Sequence, residues 1–222
     1  MDIIQAIKER RSTKGFKPDP VPKEVLRQLL DTCRWAPSAQ NVQPWDFYVL
    51  GGTVMEEVKA RLTENVKSNV PSYPDIPTIS LYEPYLKRSN ELKDSIDKHQ
   101  FPPGTEDLAQ KRASYNINGG RFHNAPNGII ICIERDLTPR LIIDAGIAAE
   151  TVVLAAHAMG LGACIMARPT HYPDILRDLL KIPDSKLIVI AVAIGYPDPN
   201  SPLNTFERSR EEIDKFVHWY GF

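Results

Sequence analysis

The sequence predicts an α+β fold, with a mixed central β-sheet flanked by helices. Three observations carry this. Four short apolar runs have strand length: "WDFYVL" (45–50), "NGIIICIE" (127–134), "GACIM" (162–166) and "KLIVIAVAIG" (186–195). Segments with the 3.6-residue period of helices alternate irregularly with them. The chain has 222 residues, 42% hydrophobic and 25% charged, which suits one domain with a sizeable core.

The elements follow in order. Ile3, Ile4 and Ile7 mark a short first helix. Val25, Leu26, Leu29, Leu30 and Cys33 mark a second, opened at Pro22 and Lys23 and closed by Pro37. "WDFYVL" is the first strand, and Val54, Val58, Leu62 and Val66 give a third helix after the Gly51-Gly52 turn. From about 68 to 115 the character changes. Pro71, Pro74, Pro77, Pro84, Pro102 and Pro103 interrupt charged helical pieces whose apolar content is mostly aromatic. This reads as a lid-like insertion lying over the core of a single 1–222 domain. "NGIIICIE" is the second strand. The helix at 141–160 is apolar nearly all round and needs cover on every side, for which a partner subunit is one natural source. "GACIM" is the third strand, a helix follows near 173–180, and "KLIVIAVAIG" is continuous enough to be a central fourth strand. Ser209-x-x-Glu212 reads as a capping box for a final helix.

A net charge of −1 gives no global basic field, so neither nucleic acid nor an anionic membrane is expected as a partner. Three cysteines without a C-x-x-C pair read as reduced, buried thiols. The start carries charge where a signal peptide would be apolar, and the apolar runs are too short to cross a bilayer. The expected location is cytoplasmic.

Four stretches carry candidate chemistry. Segment 8–17, "KERRSTKGFK", holds five positive charges and one negative. Arg10, Arg11, Ser12, Lys14 and Lys17 follow the first helix; the two arginines and the serine could fork a phosphate, or the basic residues simply complement the C-terminal dipole of that helix. Arg208 and Arg210 flank Ser209 near the other end. The two clusters make a clamp only if the fold joins them. Between Trp35 and Trp45, Pro37 and Pro44 fence Ser38, Gln40, Asn41 and Gln43. A helix stop with Asx-type turns explains the prolines but not so many polar side chains. Finally, "AMGLGACIMARPTHY" puts Gly160 and Gly162 at a helix end and strand entry, not in a dinucleotide fingerprint. His99, His123, His157, His171 and His218 lack ligand spacing, and no metal site is expected.

These pieces, in this order, resemble the nitroreductase family of FMN flavoproteins. The resemblance rests on Arg10-Arg11-Ser12-Thr13-Lys14-Gly15-Phe16, on Ala36-Pro37-Ser38-Ala39-Gln40-Asn41-Val42-Gln43-Pro44-Trp45, on the "DAG…LAA…GLG" helix of 144–162, and on the Arg208/Arg210 pair. It covers 2 to about 67 and about 121 to 216. It implies a homodimer with FMN in the interface. Arg10, Arg11, Ser12, Lys14, Arg208 and Arg210 would hold phosphate and flavin at home. Pro37, Ser38, Ala39 and Asn41 would reach the partner's flavin. Main chain near Ala167 and Arg168 would meet flavin N5, where one branch of the family has Glu-Gly. NAD(P)H would be the transient electron donor. A flat nitroaromatic or quinone-like acceptor would follow it on the same face, with ping-pong kinetics and no side chain required as acid or base. The rival readings are another reduction in the same fold (dehalogenation, flavin fragmentation or dehydrogenation), a flavin-binding module without turnover, and an interaction protein whose arginines are solvated.

Overall fold

The computed structural model describes residues 2–101, 103–104, 107–137 and 139–222. Pro102 of the inserted segment lies outside them. Helix α1 (Ile3–Glu9) starts where the Asp2 carboxylate accepts the amides of Ile4 and Gln5, at 3.0 and 3.1 Å. Helix α2 (Lys23–Cys33) buries Leu26, Leu29 and Cys33 at helical spacing. Strand β1 (Asp46–Leu50) leads into α3 (Gly52–Lys67), which buries Met55, Val58 and Leu62. Gly52 takes φ +54 at that turn, a conformation glycine adopts without strain. Helices α4 (Tyr85–Gln100) and α5 (Leu108–Gly120) form the inserted region, and α4 buries Ile96 alone. Then come β2 (Asn127–Glu134), α6 (Ile142–Ala158), β3 (Gly162–Met166), α7 (Pro173–Leu180) and β4 (Lys186–Gly195).

The strands form one four-stranded sheet in the order β1-β2-β4-β3. Its three ladders are antiparallel. Among the described residues, the mixed character expected of the sheet comes down to one parallel bridge, between Ser12 and Ala163, outside the strands. The physical reason lies in burial. Residues 127–133 of β2 are all buried, a pattern common in parallel sheets. Here it arises because helices cover both faces. Ile129, Ile131 and Ile133 pack with α2 and α6, while Ile130 and Cys132 face the other way, with α3 and α7.

The expected final helix is absent. Residues 207–212 have no regular secondary structure, and only the 3₁₀ turn Ile213–Lys215 follows, with no side-chain cap. Ile213, Phe216, Trp219, Tyr220 and Phe222 are all exposed, so this chain offers the tail no surface on which to bury a helical face. Short helices without such packing are marginal in water. Cys33, Cys132 and Cys164 are free and buried, as expected. Among the described residues no helix is long and apolar enough to cross a membrane, and no group of metal-ligating side chains assembles.

Candidate functional site

The segment after α1 runs beside the sheet and joins it through two isolated bridges, Ser12 to Ala163 and Phe16 to Pro197. The Thr13 amide donates to Ala163 O of β3 at 2.9 Å, and Lys17 N to Tyr196 O at 2.9 Å. The loop 198–206 returns over it. Asn204 is the fastener. Its Oδ1 accepts the amides of Lys14 and Gly15 at 2.9 and 3.0 Å. Its Nδ2 donates to Gly15 O and Asp198 O at 2.8 and 2.9 Å. Packing at Gly15 is so close that a Cβ there would run into the Ser201 side chain.

This arrangement joins the two basic clusters from opposite ends of the chain. Arg11 donates through Nη2 to Phe206 O and lies over the Phe206 ring, 5.2 Å from its centroid. Lys14 Nζ lies over the same ring at 5.7 Å. Arg208 donates through Nη1 to Arg10 O, and through Nη2 to Lys8 O at 2.6 Å and Glu9 O at 3.2 Å. It thereby caps the C-terminal carbonyls of α1. Burial, then the neighbouring Arg210, Arg11 and Arg10, push the pKa of Arg208 down. Arg210 is exposed and donates to Ser209 O at 2.8 Å.

The cluster is short of anions. Arg10 has one acidic neighbour, Glu150 of α6, at 3.8 Å. Among the described residues Arg11, Lys14, Arg208 and Arg210 make no ion pair. Arg10 Nε and Arg11 Nε are buried without a hydrogen-bond partner. Burial lowers the pKa of Lys14, offset in part by Cys164. Ser12 forms a parallel bridge to Ala163 of β3. An anionic ligand with several acceptor oxygens would complete these groups.

One neighbour of Lys14, His123, comes from the turn between α5 and β2, which local patterning did not single out. Phe122, His123 and Asn124 take φ of +53, +51 and +60 between α5 and β2. Such runs of left-handed non-glycine residues are strained and concentrate at ligand sites. Burial and the adjacent Lys14 hold His123 neutral, its pKa lowered to about 3. Ala167 is exposed at the end of β3, and its carbonyl accepts from Thr170 N at 2.9 Å. Arg168 Nη1 lies 3.2 Å from His171 Nδ1, and its stem packs so closely on α5 that a Cβ at Gly119 would sit 2.8 Å from Arg168 Cγ. Burial lowers the pKa of Arg168. Asn204, His123 and Glu150 carried no sequence signal, because their partners lie far along the chain.

The loop of 37–43 lies elsewhere. Ala39 N donates to both oxygens of Asp144, in the first turn of α6, at 3.3 Å each. Ser38 Oγ accepts Gln43 N at 2.9 Å, and Gln43 Nε2 donates to Asn41 O at 3.1 Å. Gln40, Asn41 and Gln43 take φ of +51, +58 and +50. Pro37, Ala39 and Asn41 are exposed and Ser38 half-buried. Asp144 and Glu150 are six residues apart on α6, roughly 9 Å along its axis. Among the described residues, no hydrogen bond or ion pair links this loop to the arginine cluster of the same chain.

A family model described as the nitroreductase family matches residues 7–196. The chain is 29% identical over 220 residues to the nitrobenzene nitroreductase of Ectopseudomonas oleovorans, covering 97% of this chain and 95% of that protein. It is 29% identical over 224 residues to the 4-nitrobenzoate reductase of Pseudomonas putida, covering 100% and 96%. The crystal structure of the FMN-dependent nitroreductase NfnB from Mycobacterium smegmatis, in complex with NADPH, superposes with a TM-score of 0.88 at 25% identity, covering 99% and 100%.

Proposed function

This chain belongs to the nitroreductase family, and we propose that it is an FMN-dependent oxidoreductase that takes electrons from NAD(P)H and reduces a flat acceptor such as a nitroaromatic or a quinone. The observation that carries this reading is the cluster of Arg10, Arg11, Lys14, Arg208 and Arg210, drawn from both chain ends and under-supplied with anions. Two of its nitrogens are buried without a hydrogen-bond acceptor. The residues present therefore fit a phosphate-bearing cofactor.

FMN, when bound, supplies hydride acceptance and return at N5. The chain does the rest. Arg10 and Ser12 bind the phosphate, with Arg11, Arg208 and Arg210 adding positive field. Lys14 would bring a partly buried ammonium to the bound group, where low local dielectric strengthens its hold on negative charge. Neutral His123 sits beside Lys14 without competing for that charge. Main chain at Ala167 and Arg168 orients the redox edge. Donor and acceptor take turns on one open face, which gives ping-pong kinetics. The segment 68–115 serves as a lid to that face.

The working unit is a homodimer. Ile3, Ile4 and Ile7 of α1, Ile143 of α6, and Phe216, Trp219 and Phe222 of the tail are all exposed on the isolated chain. So much apolar surface is unusual on a monomer. In the dimer the loop Pro37–Asn41 serves the partner's cofactor, which explains why its own arginine cluster lies out of its reach. Three free buried thiols suit a cytoplasmic location.

Purified protein should be yellow, release FMN identifiable by mass, and oxidise NADH or NADPH with nitrobenzene or 4-nitrobenzoate as acceptor. Initial velocities varied in both substrates should give parallel double-reciprocal lines. A colourless protein that fails to take up FMN at micromolar concentration overturns the reading.

A further inference from the structure

The inserted helix α4 does not only lie over the core. One of its faces, carrying Arg88, Glu91, Leu92 and Ser95, runs along the irregular segment 207–212. Two adjoining recesses of about 420 and 750 Å³ open between them. Acidic and basic side chains are mixed along both walls.

Among the described residues, one hydrogen bond crosses the groove. Ser95 Oγ donates to Glu207 O at 2.9 Å. A serine inside a helix ordinarily bonds back to its own preceding turn or to water. Here the hydroxyl is turned outward, onto main chain 112 residues away. That main chain is the piece that fastens the arginine cluster. Phe206 O accepts from Arg11, and Arg208 caps the carbonyls of residues 8–10. Three consecutive residues, 206–208, therefore join α4 on one side to the Arg10-Arg11-Ser12 motif on the other.

We propose that Ser95 is a positioning residue for the phosphate clamp, acting through the main chain of 206–208. The proposal rests on the FMN reading above. Ser95 itself does not touch the cofactor. It fixes Glu207, and through it the approach of Arg208 to α1 and of Arg11 to Phe206. Two consequences follow. Loss of the hydroxyl weakens binding of the phosphate and leaves the flavin ring system alone. By linkage, phosphate binding in turn steadies α4.

The experiment is titration of apoprotein with FMN and, separately, with riboflavin, which lacks the phosphate. Wild type, Ser95→Ala and Ser95→Thr are compared. Ser95→Ala should lose roughly three- to tenfold in FMN affinity, the size expected for one hydrogen bond, with riboflavin affinity unchanged. Ser95→Thr, which keeps the hydroxyl, should restore it. Hydrogen exchange on the wild type supplies a test that needs no variant: FMN, but not riboflavin, should slow the amides of 91–99. The proposal is overturned if Ser95→Ala leaves FMN affinity unchanged, if both flavins weaken equally, or if FMN leaves exchange in α4 unaltered. A wild-type protein that binds neither flavin overturns the FMN reading, and this proposal with it.

Discussion

Two residues of the site differ in what they do for it. Arg10 offers a buried nitrogen without a hydrogen-bond partner, whereas Arg208 already holds three main-chain carbonyls. Arg10→Ala should therefore cut FMN affinity by about one to two decades, from about 1.5–3 kcal/mol of charged hydrogen bonding, with little change in apoprotein stability. Arg208→Ala should lower both, since it uncaps α1 as well. Titration with FMN and thermal melting of the apoproteins separate the two, and equal stability losses would contradict the distinction. His123 and His171 make a second residue-scale prediction. Burial first, then Lys14 and Arg168 respectively, lower their pKa values to about 3 and about 4. Unfolded histidine takes a proton near pH 6.5, while these two stay neutral in the fold. Below that pH the unfolded state holds more protons, so stability falls as pH falls, by about 1.4 kcal/mol per pH unit for each histidine inside its window. His123→Asn keeps a residue that tolerates φ +51 and removes the titration. Urea midpoints between pH 7 and 4.5 should fall less steeply in the variant. Identical slopes would remove His123 from the explanation.

At the scale of elements, the strands were legible because each is a dense apolar run, and helices on both sheet faces keep it so. Strand direction was not legible, since two-sided burial gives the same pattern for either pairing. The arginine motif was legible from its local density of charge. Its fastener was not: Asn204 meets Lys14 and Gly15 across a separation of about 190 residues, which no local pattern records. The tail misled for the opposite reason. Ser209-x-x-Glu212 satisfies a local rule, but no packing surface in this chain supports the helix. Asn204 also yields a prediction. With its side chain removed, the amides of Lys14 and Gly15 and the carbonyls of Gly15 and Asp198 lose partners. Asn204→Ala should cost about 1–3 kcal/mol, the range for unsatisfied polar groups. Urea unfolding of the apoprotein measures this, and FMN affinity should drop in parallel because Lys14 loses its support.

At the scale of the whole molecule, the candidate site is divided. The loop Pro37–Asn41 docks on the first turn of α6 through Asp144, while the arginine cluster meets the same helix at Glu150 and beyond. One chain does not bring them together, and a two-fold arrangement of two chains can. The protein should therefore sediment as a dimer at micromolar concentration, and a flavin-loaded monomer would contradict the reading. The decisive test uses the conformation of Asn41. At φ +58 an alanine would be strained, so its effect would mix stability with binding. Asn41→Gly relieves the strain and removes only the side chain. Alone, it should weaken FMN binding while leaving the apoprotein at least as stable as wild type. A turn residue with no role in the cofactor site would show the gain in stability with no loss of affinity. A mixed dimer then assigns the loop to its site. One subunit carries Arg10→Ala and the other Asn41→Gly. If each site takes its arginines from home and its loop from across, one site carries both defects and the other neither. Titration should show one site per dimer with nearly wild-type affinity and one that is very weak. Two sites weakened alike would place the loop on its own chain's cofactor, against the separation that the fold imposes along α6.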